Sequence, residues 1–217
     1  MSRGTVYANS YPRAVVVQAL INHYDLPFDI VESTNNSTFE AEFPMQKVHT
    51  LVTSEGVKLQ EVIPLNEYVA KHITDIKEKT QLLSLGDDLS IALQGKFASL
   101  SNTDFFINVC YIFLASLGII KKHSEMMERS WNEINHAAIV FNERLSKHKY
   151  LVAEDHVTLA DLLSAAQFAF AFQHALGKEW RRQYPGIEAW LLRVLESPIL
   201  KGTHVDFKMA EKNCDAK

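Results

Sequence analysis

Apolar and polar positions change their spacing partway along this 217-residue chain. In the first third, short apolar runs alternate with amphipathic stretches. Residues 4–8 (GTVYA) read as a strand, 14–24 as an amphipathic helix whose start is marked by Pro12, and 28–31 as a second strand. Residues 37–43 suit a short helix, 49–53 and 57–60 flank Glu55-Gly56 as a hairpin, and 62–73 form a further helix. Beyond that point only helical spacing remains. It covers about 88–117, 124–147 and 159–176, with a shorter segment near 186–196 that Pro198 ends.

The first part runs βαβ and then ββα, the order of a thioredoxin-like domain, in which a parallel crossover unit is joined to an antiparallel hairpin. The second part is all-helical. Between them, residues 76–88 (IKEKTQLLSLGDD) are polar, carry a glycine and read as a linker. The expected organisation is a domain over 1–76, a linker over 77–88 and a helical domain over 89–217. Helix 159–176 has a complete start signal: Thr158 and Asp161 cap each other's amides, and Val157 and Leu162 are spaced as a hydrophobic staple. That box is a folding signature rather than chemistry.

Composition narrows the functional classes. An apolar fraction of 47% and a charged fraction of 22% describe an ordinary globular chain. The net charge of −4 offers no general attraction for nucleic acid or an anionic membrane. The short basic run Lys121-Lys122-His123 reads as a solvated helix start or loop. No apolar run reaches the roughly 18 residues of a spanning helix, and Met1-Ser2-Arg3-Gly4 opens no secretory core. Cys110 sits in an apolar stretch and Cys214 in a polar tail, which fits a reducing compartment and hence the cytoplasm. Nine histidines are scattered without ligand spacing, so no metal site is expected.

The stretch 43–68, FPMQKVHTLV, a turn at Ser54-Glu55-Gly56, then VKLQEVIPLNEY, has the layout of a small-ligand site on a strand edge. A thioredoxin-like domain followed by helices with a T-x-x-D box resembles the glutathione transferase fold. The segments SLSNTDFF (99–106), NERLSKHKYLVAEDHVTLADLLSAA (142–166), EWRRQYPGIEAWLLRVLESPIL (179–200) and DFKMAEK (206–212) are similar to the transferase-like region of the elongation factor 1-gamma family. The opening GTVYANSYPR and the FPMQKV segment share that similarity, which covers nearly the whole chain. In that family a charged linker and a second domain follow; this sequence stops at Lys217 and reads as a stand-alone, truncated paralogue. The resemblance implies an interaction module that forms a homodimer and docks other elongation factor 1 subunits, with weak or no conjugation of glutathione. The opposing expectation is a transferase that adds glutathione to small electrophiles.

For either reading the family pattern implies a site. A hydroxyl at the head of the first helix would hold the glutathione thiolate. Ser10, two before Pro12, is the candidate, with Tyr7 and Tyr11 as alternatives and a plain turn residue as the bland reading of Ser10. Glu61 falls where an acidic residue binds the amino group of the glutamyl end, and Gln60 beside it is counted among the glutathione-binding residues. Val62 stands where a serine or threonine usually holds the carboxylate, so backbone amides would have to serve. Lys47 would reach the glycyl carboxylate, and Val48 would offer its backbone to the cysteinyl unit. His49 stands where the family carries a cis proline, and a structural histidine is the bland reading there. Phe105, Phe106 and Tyr111 would line the electrophile site or, at helical spacing, fill the core.

Overall fold

The computed structural model describes residues 1–214. Four strands form one sheet in the order β2-β1-β3-β4: β1 is Gly4–Ala8, β2 Asp29–Glu32, β3 Thr50–Thr53 and β4 Lys58–Leu59. β1 runs parallel to β2, with Tyr7 opposite Val31, and antiparallel to β3, with Tyr7 opposite Thr50. The parallel pair needs a crossover, which α1 (Pro12–His23) supplies. Proline at its first turn loses no hydrogen bond. Its residues Ala14, Val16, Val17, Leu20 and Ile21 are buried.

α2 (Ser37–Glu42) is capped by Asn36, whose side chain accepts from the Phe39 amide at 3.0 Å. Phe39 and Phe43 enclose the Tyr7 ring, at centroid distances of 5.7 and 5.9 Å, in a small cluster of their own. α3 (Val62–Ala70) buries Val62, Leu65, Asn66, Val69 and Ala70.

The stretch read as a linker is not irregular. α4 (Ile76–Leu82) occupies most of it, because Asp75 caps the Glu78 amide at 2.9 Å and the residues that follow favour helix. Its polarity reflects exposure, with Leu82 turned into the core.

The segment expected as one helix over 88–117 is α5 (Asp88–Ser99) and α6 (Phe106–Ser116) joined by a π-helical turn, Leu100–Phe105. Asp88–Ser116 as a whole is long and apolar enough, by length and composition, to cross a bilayer. It differs from the expectation of no run of that length because Gln94, Lys96 and Asp104 interrupt a segment that is apolar on average. Here it packs against α7 (Ser124–Leu145) and α8 (Leu159–His174). α9 (Lys178–Arg181) and α10 (Pro185–Leu195) complete the helices.

α8 is the axis of the helical half and is buried almost throughout. Phe168 stacks on Phe105 at 4.0 Å and meets Phe141 and Trp190 edge-on. The capping box forms as expected and extends further. One oxygen of Asp161 accepts from the amide and hydroxyl of Thr158, at 2.9 and 2.7 Å. The other accepts from the Leu151 amide and the Trp190 indole, at 2.9 and 2.8 Å.

The C-terminal tail is anchored rather than loose. The Ala210 and Cys214 amides donate to Phe172 and Ala175 carbonyls at 2.7 and 2.9 Å. Arg181, buried beneath, donates to the carbonyls of Leu176 and Ala210 and pairs with Glu188 at 3.0 Å. A tail of polar residues reads as solvated in sequence; its backbone supplies the partners that the end of α8 lacks.

Candidate functional site

The structure gathers the candidate residues into two groups. The first surrounds the head of α1. Ser10 is exposed, and Tyr11 is 65% exposed as the residue before the helix, its amide held by the Asn9 side chain at 3.0 Å. Ser10 lines two adjoining cavities of about 530 and 420 Å³. The larger lies between α1 and residues 198–203. The smaller is closed by Tyr11, Phe170, His174, His204 and Phe207. Burial lowers the pKa of both His174 and His204. Tyr7 belongs to neither cavity: it is 8% exposed, with its ring in the Phe39–Phe43 cluster.

The second group joins the start of β3 to the start of α3. Lys47 is exposed and Val48 is half-buried against the small aromatic cluster. The Val48–His49 peptide bond is cis. His49 is 2% exposed, and Nε2 of its ring lies 3.0 Å from Nδ2 of Asn66, which also donates to the Val62 carbonyl at 2.7 Å. The amide donates, so Nε2 accepts and the ring proton sits on Nδ1. Burial pushes the His49 pKa down to about 4. A ring that is buried, neutral and held by a core asparagine is a structural part of the loop, and it is no ligand-facing group.

Gln60 is half-buried and Glu61 exposed. Glu61 precedes α3 with φ +73° and ψ 134°, a backbone conformation that L side chains rarely adopt, and its side chain caps no amide. Such strain persists where the surroundings impose it, and it aims the carboxylate-bearing residue outward at the head of a helix. Val62 is 6% exposed and its side chain joins the main core, so only its backbone is available to a ligand.

Neither cavity that Ser10 lines includes Lys47, Val48, Gln60, Glu61 or Val62. The aromatic residues expected at an electrophile site divide as well. Phe105 and Phe106 are buried in the core, at 0% and 4% exposure, and Tyr111 is half-buried. Phe170 and Phe207 take the place expected for them beside Ser10.

Two residues at the centre of this region escaped the sequence reading. Asn66 is the tie between the two loops, and its signal was present: it is the one amide on the face of α3 that carries Val62, Leu65, Val69 and Ala70. Arg13, in the first turn of α1, donates to the Asn102 carbonyl inside the π-helical turn at 3.1 Å and lies over the Phe106 ring at 5.2 Å. It fastens the head of α1 to the helical half, and nothing local in sequence marks it. Among the described residues no group of three or more His, Cys, Asp or Glu is placed to hold a metal ion.

Comparison with known proteins gives the lineage. Residues 91–198 match the glutathione S-transferase C-terminal domain family. Elongation factor 1-gamma 2 of Saccharomyces cerevisiae is 33% identical over 98% of this chain and 51% of its own length. This chain therefore spans about half the length of that relative. A putative elongation factor 1 gamma homologue of the same yeast is 30% identical, with 97% of both chains covered. The crystal structure of the GST-like domain of yeast elongation factor 1-gamma superposes with a TM-score of 0.90, at 33% identity and 100% coverage of both chains. Helical architecture, sheet order and this end-to-end similarity agree: the chain has the glutathione transferase fold and belongs to the family of the GST-like domain of elongation factor 1-gamma.

Proposed function

We propose that this protein is an interaction module of the translation elongation factor 1 complex, with weak or no glutathione-conjugating activity. The observation that carries the reading is the end-to-end similarity to the GST-like domain of yeast elongation factor 1-gamma, at a TM-score of 0.90 and 33% identity. The burial of the side chains at 49 and 62, which leaves a ligand only their backbone, supports weak or no hold on glutathione. On this proposal the protein is cytoplasmic, forms a homodimer, docks other elongation factor 1 subunits, and binds neither nucleic acid nor membrane. Glutathione is at most a weak ligand, held by the Glu61 carboxylate and the Val62 backbone.

The runner-up is a glutathione transferase acting on small electrophiles. It is favoured by the exposed Ser10 hydroxyl at the head of α1 beside an aromatic-walled cavity of about 420 Å³. Retention on immobilised glutathione, together with a conjugation assay against a generic aryl electrophile, separates the two. The module reading expects weak retention, negligible turnover and co-purification with elongation factor 1 subunits. Strong retention with turnover that Ser10→Ala abolishes rejects it.

A further inference from the structure

α6 lies at the surface without a charged side chain. From Phe106 to Ile120 the sequence reads FINVCYIFLASLGII. Within α6 only Phe106, Val109, Ile112 and Ala115 are buried. Ile107 and Leu117 are 55% and 56% exposed, with Cys110 and Leu114 half-buried between them. A helix that is apolar all round is ordinarily buried all round, and an open apolar face marks an interaction surface. Neither cavity at Ser10 takes a lining residue from α6, so this face is separate from the candidate site.

Spacing selects the shape of an occupant. Ile107, Cys110, Leu114 and Leu117 follow one another at intervals of three, four and three. That is the seam along which one helix packs on another. The stripe is about 15 Å long at the rise of a helix, matching about three turns of a partner helix. An extended segment finds no open strand edge here, because the backbone groups of a helix bond within it.

Charge selects the direction of that helix. Asp104 is exposed at the N-terminal end of the stripe. It accepts from the Thr103 hydroxyl at 2.6 Å and pairs with no cation among the described residues. Lys121, exposed in the loop that leaves α6, likewise pairs with no carboxylate among them, Glu125 included. A helix favours acidic side chains in its first turn and basic ones in its last. Laid antiparallel to α6, such a helix brings its acidic start to Lys121 and its basic end to Asp104. Laid parallel, it meets like charge at both ends. The Asp104 carboxylate also disfavours an anionic lipid surface.

We infer that the outer face of α6 binds an amphipathic helix of a partner protein, antiparallel to α6, with the partner's acidic first turn at Lys121 and its basic last turn at Asp104. The inference rests on the interaction-module reading and names the surface at which that module engages its partner.

The test uses the full chain and two synthetic peptides of about 18 residues, long enough to hold a helix once docked. Both carry leucines at alternating intervals of three and four. One has glutamates in its first turn and lysines in its last; the other has these charges exchanged. NMR titration should place the shifts at Ile107, Leu114 and Leu117, with the acid-first peptide bound about fivefold more tightly or better. Asp104→Lys/Lys121→Glu should reverse that preference. Ile107→Lys/Leu117→Lys should lose both peptides at the parent's melting temperature. No binding, binding that ignores the order of charges, or shifts confined to other elements overturns the inference. Retention on phosphatidylcholine–phosphatidylserine vesicles through Ile107 and Leu117, in place of peptide, overturns it as well. Co-purification with elongation factor 1 subunits is measured on the parent and on Ile107→Lys/Leu117→Lys. A complex that survives the double variant removes the α6 surface and keeps the module reading. Peptide binding through α6 without any such complex keeps the surface and rejects the module.

Discussion

Replacing Glu61 by glycine should stabilise this protein while weakening whatever hold it has on glutathione. Glu61 has φ +73° and ψ 134°, is exposed, and its side chain caps no amide. Holding an L residue in such a conformation costs on the order of 1–3 kcal/mol. Glycine adopts it without the Cβ clash, and loss of the side chain removes no contact that supports the fold. Against that gain, glycine loosens the unfolded chain by about 0.4–1 kcal/mol. The net expectation is a gain of about 1 kcal/mol, or roughly 2–4 °C in melting temperature for a chain of this size. Glu61→Ala is the control: it deletes the same carboxylate and keeps the clash, so its stability should not rise. In the glycine variant, loss of a charge-assisted hydrogen bond of about 1.5–3 kcal/mol should reduce affinity for glutathione by roughly 10- to 150-fold. Urea denaturation and retention on immobilised glutathione read the two effects separately. If the glycine variant is no more stable than the alanine variant, strain at this position is not what the fold carries. If it is more stable and retention is unchanged, the carboxylate holds no ligand.

Acid should weaken the fold through His49, whose native pKa near 4 lies below the ordinary 6.5. The unfolded chain takes up a proton below 6.5 that the native ring refuses, so stability falls between pH 6.5 and 4 by about 3 kcal/mol. His174 and His204 add to the loss in the same direction, so the measurement is the difference in denaturation slope against His49→Gln, which should flatten by about one proton. Asp161→Asn should cost about 2–4 kcal/mol, because each carboxylate oxygen accepts two donors and the amide nitrogen of asparagine must face one pair of them; a chemical denaturation midpoint close to the parent's would contradict this. Gly177→Ala should destabilise by about 1–3 kcal/mol, since a Cβ there would lie 2.4 Å from the Lys212 backbone. Hydrogen exchange should locate that loss at the Ala210 and Cys214 amides; exchange unchanged at both would mean that the close approach supports nothing.

What was legible in the sequence follows from the range of the forces involved. Element types came through because their causes are local: Pro12 starts α1, Asn36 and the Thr158–Asp161 box start helices, and apolar spacing separates strand from helix. α4 does not show in overall polarity, because an exposed helix is polar on most of its faces; its signal is the local cap at Asp75. The π-helical turn could not be read, since it answers to packing between α7, α8 and Arg13 rather than to any property of 100–105. In the candidate site the positions were legible and the orientations were not. Sequence placed Val62 and Tyr7 in the right elements; only the fold decides that both are buried.

His49 and Asn66 show why orientation governs the functional reading. A histidine on a ligand loop invites a catalytic role when its environment is unknown. Here its ring spends its acceptor on Asn66, and Asn66 in turn holds the Val62 carbonyl. The start of β3 and the head of α3 are thus fastened from within by a chain of buried polar groups, with burial keeping the ring uncharged. Such a tie fixes the backbone of both loops while removing two side chains from the surface that a ligand would meet. What remains outward there is the Glu61 carboxylate. The tie makes the two loops a rigid frame, in which Glu61 and the main chain are the groups left for recognition.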